Sequence, residues 1–118
     1  VLVADDHPLF REALRLALGR ALPDATVVEA DSVASLTEAA AAHPDADLLL
    51  LDLHMPGAQG FSALVQLRTH QPSLPVVIVS ASEDPAVVRR AIAHGAAGFI
   101  PKSSPVEAMV QALGAVLE

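Results

Sequence analysis

Four of the five short apolar runs in this chain end in residues that could handle a phosphoryl group. Val1-Leu2-Val3-Ala4 runs into Asp5-Asp6, and Leu48-Leu49-Leu50-Leu51 runs into Asp52. Val76-Val77-Ile78-Val79 ends in Ser80, and Gly98-Phe99-Ile100-Pro101 ends in Lys102. A carboxylate can attack phosphorus and form an aspartyl phosphate. The attack needs the negative phosphoryl oxygens neutralised. A Mg²⁺ ion does this through one or two carboxylates, phosphate oxygens and waters. Asp52, alone at its run's end, is the natural nucleophile, and Asp5 and Asp6 are candidate metal ligands. Bare carboxylates repel by about 4 kcal/mol per close pair at an effective dielectric of about 20. A divalent cation removes that repulsion. Lys102 offers a point charge to a phosphoryl oxygen, and Ser80 offers a hydrogen bond.

These side chains meet only if the runs are parallel strands of one sheet, because open α/β folds bind ligands at the carboxyl edge. The segments between the runs support this. Pro8 can open a first helix, where a missing N–H costs nothing. Phe10, Leu14, Ala17, Leu18 and Ala21 then recur at helical spacing, until Pro23-Asp24 breaks the pattern. Thr26-Val27-Val28 begins the second strand. Asp31 or Ser32 can cap a second helix carrying Val33, Leu36, Ala39 and Ala40, which stops near His43-Pro44. Met55-Pro56-Gly57 reads as a turn, with Gly60 allowing an unusual dihedral. Phe61, Leu64, Val65 and Leu67 carry a third helix to about His70. Asp84-Pro85 is a cap followed by proline at the first helical position, and Gly95 suits the end of that fourth helix. A fifth helix starts at Ser104-Pro105 and presents Val106, Met109, Val110, Leu113, Val116 and Leu117 on one side.

Strands separated by helices imply parallel pairing with right-handed crossovers. The predicted fold is a flavodoxin-like, doubly wound sheet of five parallel strands in order 2-1-3-4-5 with five helices. That order sets the first and third strands side by side, where Asp5, Asp6 and Asp52 can converge. At 118 residues, one domain is expected. Aromatics are only 3% of the chain, so the core must be aliphatic. The net charge of -7 argues against direct nucleic-acid binding, which needs a basic surface. With no cysteine there is no disulfide or thiolate site. No apolar stretch reaches a membrane span. No signal-peptide pattern is found, and cytoplasmic residence is the default expectation.

The motifs, taken together and in this order, resemble the receiver domain of two-component response regulators. They are Val3-Ala4-Asp5-Asp6-His7-Pro8, Leu51-Asp52-Leu53-His54-Met55-Pro56-Gly57 with Gly60, Val79-Ser80-Ala81, and Gly98-Phe99-Ile100-Pro101-Lys102. The Asp-Asp-His-Pro opening and the Ile-Pro-Lys-Ser close are most similar to the NarL/LuxR group. The resemblance implies that Asp52 accepts phosphate from a sensor histidine kinase. It implies Mg²⁺ on Asp5, Asp6, Asp52 and the backbone carbonyl of His54. Ser80 would move to bond the phosphoryl group, Phe99 would turn inward behind it, and Lys102 would pair with the phosphate. The domain would catalyse only its own phosphorylation and dephosphorylation.

Three positions depart from the family pattern. His54 stands where an amide or smaller side chain is frequent, Gln59 where an acidic residue or Asn often precedes Gly60, and Ser103 where proline is the norm after the lysine. His7 is expected to be a turn or cap residue rather than a ligand. The resemblance covers residues 1–118 and implies a chain cut before a helix-turn-helix DNA-binding domain, with a homodimer among its assemblies. Two other readings use the same residue types. One is a stand-alone or degenerate receiver acting by protein contact. The other is an aspartate-nucleophile Mg²⁺ phosphatase, whose nucleophile belongs on the first strand with a second Asp two residues on, where this chain has His54.

Overall fold

The computed structural model describes residues 1–57 and 60–117. Gln59 therefore lies outside the described residues. Ten elements alternate along the chain. The strands are β1 (Leu2–Ala4), β2 (Val28–Ala30), β3 (Leu49–Asp52), β4 (Val76–Ser80) and β5 (Gly98–Pro101). The helices are α1 (Pro8–Ala21), α2 (Val33–Ala42), α3 (Ser62–His70), α4 (Pro85–Ala93) and α5 (Val106–Leu117). All strand pairs are parallel, in the order β2-β1-β3-β4-β5. This is the fold expected from the alternation of runs and helices.

The register explains the convergence at one edge. Ala4 pairs with Leu51, so Asp5 and Asp52 follow side by side as β1 and β3 end. Asp52 pairs with Val79, which puts Ser80 one residue further along β4. Successive side chains of a strand point to opposite faces, and the core divides accordingly. Val3, Leu50, Val77, Val79 and Ile100 face α1 and α5, whose Leu14, Leu18, Met109 and Leu113 are buried against them. Leu2, Ala4, Leu49, Leu51 and Ile78 face the other layer, with Leu36 of α2, Leu64 of α3 and Ala91 of α4. β3 and β4 are buried throughout, so they read as continuous apolar runs rather than as alternating ones.

Local chemistry sets the helix ends. Pro8 and Pro85 occupy the first turns of α1 and α4. Ser32 caps α2 in a reciprocal box with Ser35, and the Asp84 carboxylate accepts the Ala86 N–H at 2.9 Å. Gly95 follows α4 at φ +100, and the Arg68 side chain passes 3.1 Å from where a Cβ would stand. Arg68 also donates to the carbonyls of Pro72, at 2.8 Å, and Leu74, at 3.1 Å.

Several boundaries differ from expectation. β2 starts at Val28 rather than Thr26, and β3 starts at Leu49 and includes Asp52. α3 starts at Ser62, and Phe61 sits ahead of it without a capping side chain. Val65 was expected to help carry the buried stripe, yet it is 43% exposed. The stripe follows Ala63, Leu64 and Leu67, and Val65 lies around the helix from it.

The sheet edges are short or blunted. β2 is three residues long, and its Glu29 accepts from Arg15 of α1 at 2.9 Å. That hydrogen bond, ahead of the neighbouring charges, raises the Arg15 guanidinium above its ordinary pKa. β5, at the opposite edge, ends in Pro101. Among the described residues, no helix is long and apolar enough to cross a membrane.

Candidate functional site

Asp5 and Asp52 are buried charges, at 0% and 1% exposure, and an unpaired buried charge is costly. The backbone resolves half of that cost. Asp5 Oδ1 accepts the His7 N–H at 2.6 Å, and Asp52 Oδ1 accepts the His54 N–H at 3.0 Å. Each carboxylate is thus held by the amide two residues on, a turn-forming habit of aspartate. The second oxygens, Oδ2 of each, face a common pocket.

Lys102, carried in from the end of β5, closes that pocket. Its Nζ lies 3.1 Å from Asp52 Oδ2, to which it donates a hydrogen bond. It lies 2.9 Å from Asp5 Oδ2, close enough to pair as ions, but without hydrogen-bond alignment. The Lys102 side chain is largely buried, and the Phe10 ring centre is 5.1 Å from Nζ. Asp6 is half-buried, and its Oδ1, like Asp5 Oδ2, is buried without a hydrogen-bond partner.

The structure places the other predicted residues less tightly. Ser80 is fully buried, and its Oγ accepts the Ser82 N–H at 3.1 Å, which leaves its O–H to donate. Phe99 is half-buried and pairs in register with Ile78. By strand alternation Ser80, Ile78 and Phe99 share the face toward α4. The His54 side chain is exposed, and only its amide contacts the cluster. Ser103, where the family pattern has proline, donates its hydroxyl to Glu83 at 2.9 Å, tying the loop after β5 to the loop after β4.

His7 is the residue that sequence reasoning undervalued. It does stand at the N-cap of α1, as expected of a cap residue, but its side chain makes no capping bond. The ring instead leans over the carboxylates. Nδ1 lies 2.7 Å from Lys102 Nζ and 3.2 Å from Asp6 Oδ1. Its position next to Asp5-Asp6 was visible; its inward rotation depends on backbone geometry that residue types do not specify.

The donor set suits a divalent cation. Asp5, Asp6, His7 and Asp52 each offer one atom, all within 4.8 Å of one another. Among the described residues, the buried oxygens Asp5 Oδ2 and Asp6 Oδ1 lack hydrogen-bond partners, so their lone pairs could serve a cation. A divalent cation held by the three carboxylates, together with the Lys102 ammonium and the buried Ser80 hydroxyl, could neutralise the charge of a phosphoryl group on Asp52.

Comparison with known proteins gives consistent results. The family model described as the response regulator receiver domain matches residues 1–114. The glycerol metabolism activator of Pseudomonas putida is 47% identical over 117 residues, which is 99% of this chain and 53% of that protein. The chain therefore spans about half the length of this relative. The signal receiver domain of the NarL response regulator from Mycobacterium tuberculosis superposes with a TM-score of 0.79 at 38% identity, covering 95% of this chain and 90% of that one. A response regulator from Burkholderia pseudomallei, solved with a phosphorylated aspartic acid and a calcium ion, gives a TM-score of 0.79 at 26% identity, covering 95% and 64%.

Proposed function

The chain belongs to the response regulator receiver domain family, phosphorylation-dependent signalling switches of the NarL/LuxR type, and from that premise we propose that Asp52 is its phosphoacceptor. The observation that carries the proposal is the pinning of Asp52 through Oδ1 by the backbone, which leaves the buried Oδ2 held only by side chains, chiefly the Lys102 ammonium. The donor is a phosphohistidine of a sensor histidine kinase. Asp52 Oδ2 forms the new P–O bond as the P–N bond breaks, and the imidazole leaves. Asp5, Asp6, Asp52 and the His54 carbonyl would hold Mg²⁺, which supplies charge neutralisation at the phosphoryl oxygens. Lys102 exchanges a carboxylate partner for a phosphoryl oxygen, and the Ser80 O–H donates to another. Water attack on phosphorus later breaks the P–O bond to Asp52, releasing inorganic phosphate and returning the carboxylate. The domain thus acts only on its own aspartate.

The phosphoryl group adds roughly -1.5 to -2 charge in a closed site. Ser80, drawn toward it, vacates space on the face that Phe99 shares with α4. That shift is the readout passed to an output domain. We infer a cytoplasmic regulator in which residues 1–118 control a linked DNA-binding domain. The acidic receiver would itself repel the duplex.

The test is intact-mass analysis with a small phosphodonor and Mg²⁺. One phosphoryl adduct is expected, absent in Asp52→Asn and after chelation. An adduct that persists in Asp52→Asn would move the site elsewhere.

A further inference from the structure

His7 has no task in the phosphoryl chemistry above, yet its ring does not turn to solvent. The side chain is 59% exposed, but Nδ1 points inward, 3.2 Å from Asp6 Oδ1, 3.3 Å from Asp5 Oδ1 and 3.6 Å from Asp52 Oδ2. Donor atoms about 2.1 Å from one shared ion lie about 3.0 Å apart at right angles and about 3.4 Å apart at tetrahedral angles. The three separations at His7 fall around those values. A second observation concerns Lys102. Its ammonium sits 2.7 Å from Nδ1, 2.9 Å from Asp5 Oδ2 and 3.1 Å from Asp52 Oδ2, so one cation is already shared by the imidazole and two carboxylates. A third is Asp5 Oδ2, fully buried and without a hydrogen-bond partner.

We propose that His7 Nδ1 is a protein ligand of this pocket, so that the site takes a nitrogen-preferring first-row divalent ion such as Co²⁺, Ni²⁺ or Zn²⁺ more tightly than Mg²⁺. The proposal rests on the reading of Asp5, Asp6 and Asp52 as metal ligands. Mg²⁺ takes oxygen donors and keeps its waters, and gains little from an imidazole. The later first-row ions bind imidazole well. An all-carboxylate pocket would separate the two classes weakly, whereas one imidazole in the donor set separates them strongly. Lys102, displaced by the ion, is then free to meet a phosphoryl group.

Co²⁺ titration followed by visible ligand-field absorption reads the nitrogen donor directly. Mg²⁺ titration is followed by the amide NMR signals of Asp5, Asp6 and His54. His7→Ala should weaken Co²⁺ at least about ten-fold more than it weakens Mg²⁺, and should shift the Co²⁺ spectrum. His7→Asn, which supplies a good capping side chain but no imidazole, should behave like His7→Ala. Equal effects on the two ions, or none, overturn the inference. Asp6→Asn should weaken both ions. Mg²⁺ that leaves the wild-type amides unmoved while Co²⁺ still depends on His7 would sink the magnesium reading and support the nitrogen-donor site.

Discussion

The helices flanking the sheet are not all held with equal strength: α4 is seated less firmly than α1 or α5. On one face, α1 buries Leu14, Ala17 and Leu18, and α5 buries Met109 and Leu113. On the other, α4 buries one residue, Ala91, while its Ile92 is 50% exposed. The strand beneath it, β5, buries only Ile100 fully, and Ile100 faces the α1–α5 side. A buried leucine contributes roughly 1.5–3 kcal/mol and an alanine far less. α4 depends instead on softer contacts. The Phe61 ring stacks at 5.1 Å on His94 and lies under Arg90, also at 5.1 Å. Such contacts are worth about 0.5–1.5 kcal/mol each and are readily exchanged. α1 and α5 are therefore firmly anchored helices, and α4 is a weakly seated one. α4, on the face shared by Ser80 and Phe99, is the helix expected to open most readily, because switching elements are drawn from the low-stability end.

The largest expected contrast is in stability. Leu14→Ala, in the anchored α1 at 0% exposure, should cost about 3–5 kcal/mol in urea unfolding. A cost near 1 kcal/mol would mean α1 is softer than its packing implies. A smaller contrast is local. Amides of α4 should exchange at least ten-fold faster than those of the α1 core, equivalent to about 1.4 kcal/mol of opening free energy. Beryllofluoride, a phosphoryl mimic, should alter exchange in residues 82–100 and leave Leu14, Ala17 and Leu18 unchanged. Mimic binding that alters the α1 core instead would reverse the comparison. The smallest effect belongs to Ile92→Ala, expected to cost under about 1 kcal/mol because half the side chain is already in water. An effect rivalling Leu14→Ala would show α4 to be as firmly seated as α1.

Much of this architecture was legible before any coordinates. Fully buried parallel strands leave uninterrupted aliphatic runs, and Pro8, Ser32 and Asp84-Pro85 mark helix starts through specific backbone chemistry. Strand order followed from requiring Asp5, Asp6 and Asp52 to meet. What stayed hidden depends on distances across the fold. Val65 fits a helical stripe by spacing, but which face is covered depends on the neighbouring element. Phe10 read as core from its period, yet its ring also caps the Lys102 ammonium, a residue 92 positions away. The inward turn of His7 and the Ser103–Glu83 bond arise from side-chain rotation, which periodicity does not report.

The two margins of the sheet carry a further consequence, for behaviour at high concentration. A strand margin with unpaired N–H and C=O groups is a template on which another chain can add, the route to aggregates and fibres. Here β2 offers only three residues, with Glu29 and Arg15 placing opposite charges along it. At the far margin, Pro101 has no N–H to donate, so recruitment of an extra strand stops where β5 ends. A domain with a loosely held helix over its last strand would otherwise be exposed to such growth each time that helix moved. Margins of this kind let the α4 side loosen without the sheet becoming a seed for polymerisation.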